Sequence, residues 1–356
     1  MASTAGAGFR IGVDAPEGLR AYLVSHGWLP PREPLISVAP AGDGNMNCTL
    51  RVVTPRRRLI VKQARPWVER YPDVPAPIDR TLVEARFYAH VARVTGVGDR
   101  MPACLGVDAE SRILVLCDCV GFADLTAVYG GTRIGPAVVS ELLEYLAALH
   151  RLPVGPGLAT AFGNTAMRRL NHEHLFCRPL AGDAGLHARL DAITPGLAAL
   201  ARGYAADARV RDRVGALGEL YMDAGPEALV HGDFFPGSWL SDGSHVRIID
   251  PEFCFAGSPA FDYGTMAAHL MLAAQDEWLV GRVARAARAA GCDETLVAGF
   301  AGVEIVRRIL GVAQLPGLRR SLAEKAALLV RSRRLLLRIE VLGSSANGGV
   351  SRGARR

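Results

Sequence analysis

Three acidic residues in the second half of a 356-residue chain stand where they can share one cation. The run LVHGDFFPGSWL sets His231, Gly232 and Asp233 among apolar residues, and HVRIID leads into Asp250-Pro251-Glu252. SDGS between them is turn chemistry, so the two runs read as a hairpin about Asp242 and Gly243, with Asp233 and Asp250 brought to its open end. In extended backbone, residues two apart face the same side, and Pro251 stiffens the step, which adds Glu252 as a third carboxylate. Such a cluster repels itself without a cation. Hard oxygen ligands in small number suit Mg²⁺, which keeps several waters and takes one or two carboxylates plus phosphate oxygens. Each piece also has a bland reading: HGD is short, Asp-Gly and Pro-Gly often mark only turns, and DxE at a strand end is often a solvated loop start.

The elements that must position these residues begin with a β-rich first third. Gly42-Asp43-Gly44-Asn45-Met46-Asn47 precedes a strand and can turn backbone N–H groups toward phosphates, although a Gly/Asn turn also reads as a simple hairpin. No GxxxxGK[ST] motif exists in the chain. LRVV at 50–53 and LIVKQ at 59–63 flank TPRRR and read as an antiparallel pair carrying Lys62. In TLVEARFYAHVARV, Leu82, Val83, Phe87, Val91 and Val94 recur at helical spacing, with Glu84 near the start. ILVLCD at 113–118 reads as a buried strand, and the lobe boundary falls near Cys117 to Phe122. From Pro136 the signal is mostly helical: Leu142, Leu146 and Leu149 form one stripe, and 276–290, 295–313 and 320–341 are amphipathic.

Composition removes several classes. Half the chain is hydrophobic and the formal net charge is +6. Its sequence pI is near 9.1. The basic residues are scattered, with short clusters at Arg56 to Arg58, Arg319 and Arg320, and Arg331 to Arg338. No aromatic residues interleave with them as base-stacking platforms, so nucleic acid is not an expected partner. Only Lys62 and Lys325 are lysines. That bias reads as genome-wide, and Lys325, on a C-terminal helix, as no more than its remainder. The start MASTAGAGFR lacks a signal-peptide pattern and no run is long and apolar enough to span a bilayer, so a cytoplasmic protein without membrane partners is expected. Seven cysteines without a CxxC pair fit neither a disulfide framework nor a zinc site.

The order Gly-rich turn, strand Lys, helical Glu, HGD and DxE resembles the aminoglycoside phosphotransferase and choline kinase group of protein-kinase-like enzymes. GDGNMN, VKQA, HGDFFPGS, IIDPEF, FDYG at 261–264 and VRRILGVA at 306–313 are most similar to the methylthioribose kinases within it. The resemblance spans about residues 35–315. It implies an α+β, bilobal protein-kinase-like fold: an N-terminal antiparallel sheet lobe with one main helix (1–116), then a hinge and larger, mostly helical C-terminal lobe (117–342); the small, polar, basic end (343–356) reads by its composition as a disordered tail.

It also implies roles. Lys62, paired with Glu84, contacts the phosphates of ATP or GTP; Gly44, Asn45 and Asn47 line them; the hinge backbone at Leu116, Cys117 and Cys119 meets the purine. Asp233 accepts the proton of the attacking hydroxyl, and Asp250, Glu252 and Ser238 hold Mg²⁺. Protein kinases and most aminoglycoside kinases carry Asn where this chain has Ser238, a weaker hydroxyl ligand, whereas the methylthioribose kinase pattern tolerates Ser there. Arg307 and Arg308 match an arginine pair on the acceptor side and are both expected to bind substrate; neighbours on a helix lie ~100° apart, so the competing reading puts at most one in the site and the other as surface charge. Glu84 has the competing reading of a solvated helix residue. His231 reads as shaping its loop, and Asp262 as bracing it. The expected activity is ATP-dependent transfer to a hydroxyl of a small sugar-containing acceptor by a monomer or homodimer. The alternatives are an antibiotic-inactivating phosphotransferase, acting on an aminoglycoside or a nucleoside antibiotic, and a nucleotide-binding pseudokinase regulator.

Overall fold

The computed structural model describes residues 8–42, 46–223, 225–312, 314–315 and 317–343. The chain is α+β and folds as two compact units, neither of them a single stretch. One comprises 1–125, 140–171 and 224–257; the other comprises 126–139, 172–223 and 258–356.

In the first unit the β-branched runs form a five-stranded antiparallel sheet, in the spatial order Ser37–Pro40, Cys48–Val53, Arg58–Gln63, Ile113–Cys117, Cys104–Asp108. Period-two alternation gives this sheet two different faces. Leu50, Val52, Leu59, Val61, Ile113 and Val115 turn to one side and share an apolar cluster with Leu19 and Leu23 of the helix Pro16–Ser25. Lys62, next to Val61 and paired in register with Leu114, turns to the other side, where the helix Arg80–Val91 lies. Phe87 and Val91 are wholly buried on that helix, as their spacing predicts.

The same unit holds two short antiparallel arrangements in the 228–257 region. Trp239–Ser241 pairs with Val246–Ile248 across the Asp242-Gly243 turn, as expected, and also with Ala123–Asp124. The approach to HGD is not an arm of that hairpin. Ala228–Val230 instead pairs with Phe255–Gly257, because Gly232, at φ 82°, turns the chain between the two. Leu142, Leu146 and Leu149 are wholly buried, and Tyr145 of the same helix stacks on Phe234 with ring centroids 5.8 Å apart.

The second unit is helical. Glu277–Ala289, Glu294–Leu310 and Leu322–Leu336 occupy the three amphipathic stretches read from sequence. Ala260–Leu272 is a further helix, buried at every position. A Cβ on its Gly264 would stand 2.8 Å from Phe300 Cβ and from the Val297 carbonyl oxygen, so the missing side chain is what lets this helix and Glu294–Leu310 approach. Three arginines of the Arg331–Arg338 cluster form ion pairs: Arg331 with Glu277 and Glu340, Arg333 with Asp207, Arg334 with Glu340. Among the described residues no helix is long and apolar enough to cross a membrane.

Candidate active site

Lys62 is the hub of the first unit's polar cluster. Its Nζ donates to both Glu84 carboxylate oxygens at 2.8 Å and to Asp250 Oδ1 at 2.6 Å. Lys62 is 3% exposed and Glu84 wholly buried, which rules out the solvated reading of Glu84. Burial disfavours charge on the ammonium, but Asp250 and Glu84 outweigh it and raise the Lys62 pKa, so this lysine stays protonated. Burial pushes the Glu84 carboxyl up against the pull of Lys62, and Asp250 and Glu252 push it the same way as burial. The Asp250 side chain is 40% exposed, so it alone of the two partners is open to a ligand arriving from solution.

The HGD loop is set by its neighbours in sequence. His231 is wholly buried. Its Nε2 lies 3.0 Å from the Ile249 carbonyl, and its Nδ1 accepts from the Asp233 N–H at 3.4 Å. A carbonyl only accepts and an amide N–H only donates, so the arrangement selects the neutral Nε2–H tautomer. His231 thus fastens the Asp233 backbone to the residue preceding Asp250, as expected of a loop-shaping residue. The half-buried Asp233 is further held by Ser238, whose Oγ donates to its carbonyl at 3.0 Å. A Cβ at Gly232 would lie 2.1 Å from the Phe253 carbonyl oxygen, so the loop rests directly on the DPEF backbone.

Asp250-Pro251-Glu252 is not extended, contrary to the reading from sequence. Asp250 adopts a left-handed conformation at φ 63°, and Pro251–Phe253 is a 3-10 turn. The turn sends Glu252 inward, where it is 5% exposed. Its Oε2 accepts from Asn47 Nδ2 at 2.8 Å and lies 3.5 Å from Arg80 Nε. Asn164, at φ 42°, donates through Nδ2 to the carbonyls of Glu252 and Cys254 at 3.0 and 2.9 Å and fixes the turn. Nothing in the sequence reading singled out Asn164 or Arg80; a left-handed Asn after Gly163 is the only local signal for the first.

Asn47, read as a phosphate contact, is buried with both amide ends committed, to Glu252 and to Arg80. Gly44 and Asn45 lie outside the described residues. Leu116 pairs with Ile60 and with Cys104 inside the sheet. The Cys117 N–H already donates to the Ala103 carbonyl at 2.9 Å, and the Asp118 N–H to the Arg58 carbonyl at 3.0 Å. A purine contact at this hinge therefore has neither donor to use. The Cys119 carbonyl accepts from Phe122 N–H at 3.1 Å.

Arg307 and Arg308 belong to the second unit, and neither is surface charge. Glu304, 2% exposed, takes Arg308 Nε at 2.6 Å and Arg307 Nη1 at 3.2 Å. The i+3 and i+4 offsets from one acid gather two side chains that diverge at their Cα atoms. His269 Nε2 lies 3.0 Å from Glu304 Oε1, and Tyr129 OH 2.6 Å from His269 Nδ1. Burial lowers the His269 pKa to about 4, and the two arginines hold Glu304 well below the usual carboxylate range despite its own burial. Asp262 is buried in the first turn of Ala260–Leu272.

Among the described residues no group of three or more His, Cys, Asp or Glu side chains is arranged to hold a metal ion by itself. The residues nevertheless fit a cation that brings its own ligands. Lys62 and Arg80 face Glu84, Asp250 and Glu252, and Asp250 is the exposed member. A divalent ion carrying waters and phosphate oxygens could take that carboxylate without a full protein cage.

The chain belongs to the phosphotransferase enzyme family, whose profile matches residues 37–295 and so contains Lys62, Glu84, Asp233, Asp250 and Glu252. It is a small-molecule kinase that uses a nucleoside triphosphate. It is 27% identical to a methylthioribose kinase of Exiguobacterium sibiricum, over 78% of this chain and 80% of that one. It is 26% identical to a methylthioribose kinase of a Geobacillus species, over 92% of each. Among solved structures, LicA in complex with AMP superposes with a TM-score of 0.53 at 13% identity, over 92% of this chain and 100% of LicA, which shows the kinase-like fold.

Proposed function

We propose that this chain transfers the γ-phosphoryl group of ATP to a ring or chain hydroxyl of a methylthioribose-type sugar. The observation that carries the reading is Lys62 joined to both Glu84 and Asp250, with Asp233 tied through His231 to the residue before Asp250. One buried ammonium, one exposed carboxylate and one half-buried carboxylate on a pinned loop supply the three charges that phosphoryl transfer uses.

In this reading Lys62 holds the α- and β-phosphates as a compact point charge, with Glu84 fixing its direction. Asp233 orients the acceptor hydroxyl and takes its proton. Ser238 keeps the Asp233 backbone from drifting, which preserves in-line geometry. Mg²⁺, held by Asp250 with Glu252 and Ser238 as the further oxygen donors, would neutralise charge on the β- and γ-oxygens. Gly44 and Asn45 are assigned to the phosphates, the hinge at Leu116, Cys117 and Cys119 to the purine through groups other than the Cys117 N–H, and Arg307 and Arg308 to the acceptor. Seven cysteines with no CxxC pair support a reducing compartment, the cytoplasm.

The test is a phosphate-transfer panel with methylthioribose, ribose, aminoglycosides and nucleoside antibiotics as acceptors, each with ATP and GTP. The highest kcat/KM is expected for methylthioribose with ATP. Turnover confined to an aminoglycoside or nucleoside antibiotic would replace this reading with antibiotic inactivation. Tight nucleotide binding with no turnover on any acceptor would make the chain a regulator.

A further inference from the structure

Arg80 is wholly buried and lies outside every role assigned above. All five of its N–H groups are used. Nε donates to Asn47 Oδ1 at 2.8 Å. Nη1 donates to the carbonyls of Arg65 at 2.8 Å and Pro77 at 2.7 Å. Nη2 donates to the carbonyls of Met46 at 2.6 Å and Trp67 at 3.2 Å. Its carboxylate partner is Glu252, which Asn47 also contacts. A lysine, with three donors and no fork, could not satisfy these acceptors.

The partners fall on segments with different tasks. Met46 and Asn47 precede the strand Cys48–Val53, whereas Glu252 sits two residues beyond Asp250. Such a buried charge does not by itself favour stability, since apolar packing often serves as well or better. What a saturated guanidinium supplies that apolar packing does not is a fixed register between the segments it bonds.

We propose that Arg80 is a positioning residue which, through Asn47 and Glu252, locks the chain at Met46 and Asn47 to the acidic turn 250–252, so that nucleotide and divalent cation bind as one coupled event. Glu252 then acts first as the latch on the nucleotide side, and Asp250 as the principal carboxylate toward the metal. This rests on the phosphotransferase reading of the same site.

The experiment is a double-mutant cycle in the full chain on the affinity for ADP with Mg²⁺, using Asn47→Ala, Glu252→Ala and the double variant, together with the Mg²⁺ concentration that half-saturates ADP binding. Each single change should weaken binding about tenfold and the double change no more than the stronger single one. Asn47→Ala alone should raise the half-saturating Mg²⁺ about tenfold, although Asn47 is not assigned to the metal. Should Glu252→Ala fail to fold, that Mg²⁺ shift decides alone. Additive losses, or a lower thermal midpoint with unchanged ADP and Mg²⁺ affinities, would overturn the coupling and leave the kinase reading standing. Absence of ADP binding in the wild type would instead remove the kinase reading and the coupling with it.

Discussion

Lys62 and Lys325 share a composition in which arginine supplies every other basic side chain, yet their surroundings differ. Lys62 meets three carboxylate oxygens at 2.6 to 2.8 Å. A planar guanidinium does not fit that point-charge geometry, so Lys62→Arg should lower kcat/KM at least about a hundredfold in steady-state assays. Near wild-type turnover would mean the lysine was a compositional accident. Lys325 corrects the sequence reading: it is 3% exposed, donates to Thr194 Oγ1 at 2.7 Å and has its pKa lowered by burial. Gly232 offers a sharper residue-scale test. Its φ of 82° and the 2.1 Å approach to the Phe253 carbonyl oxygen both exclude a Cβ, so Gly232→Ala should cost at least about 2 kcal/mol in denaturant unfolding and shift Asp233. An unchanged unfolding midpoint would contradict this contact. Asp233, Asp250, Lys62 and Glu84 were legible because their chemistry lies in short motifs of fixed order. Arg80 and Asn164 were not, because their partners are mostly backbone carbonyls brought together only by the fold.

Legibility at the scale of elements followed the hydrophobic period. Three strands of the first sheet and the three amphipathic helices of the second unit lie within a few residues of where the sequence places them, whereas the outer strands Ser37–Pro40 and Cys104–Asp108 carry no apolar run to mark them. The helix Ala260–Leu272 is buried all round, its polar residues Asp262, Thr265 and His269 included, so it has no solvent-facing side to mark it in the sequence. The DPE turn was misread because strand alternation was extended through Asp250, whose left-handed backbone ends it. The Tyr129–His269–Glu304 chain also belongs to this scale and has a pH signature. His269 is depressed to about 4 in the fold, against about 6.5 unfolded, so its contribution is present above pH 6.5 and lost as pH falls toward 4. Glu304, also depressed, adds a loss of the same sign at lower pH. Unfolding free energy should fall by on the order of 2–3 kcal/mol between pH 7 and pH 4 from His269, and His269→Gln should flatten that limb. A variant with the same acid limb as wild type would assign the pH dependence elsewhere.

Across the whole molecule, Lys62, Glu84, Asp233, Asp250 and Glu252 gather in one compact unit although they come from two stretches of chain far apart in sequence. The arginine-rich composition, which invites a nucleic-acid reading, resolves into internal ion pairs such as Arg51 and Arg58 on Asp118 and Arg331 on Glu277. Membership of the phosphotransferase enzyme family rests on a match from 37 to 295, which contains the turn, Lys62, Glu84, HGD and DPE together. The central claim is that Asp233 promotes transfer of the γ-phosphoryl group to an acceptor hydroxyl. The direct measurement is ³¹P NMR of product formed from ATP and methylthioribose with wild type and Asp233→Asn, at enzyme concentrations where both bind ADP equally. A new phosphomonoester signal is expected with wild type, formed at least about a thousandfold more slowly by Asp233→Asn. Equal rates in the two proteins, or hydrolysis of ATP to free phosphate with no ester, would contradict it.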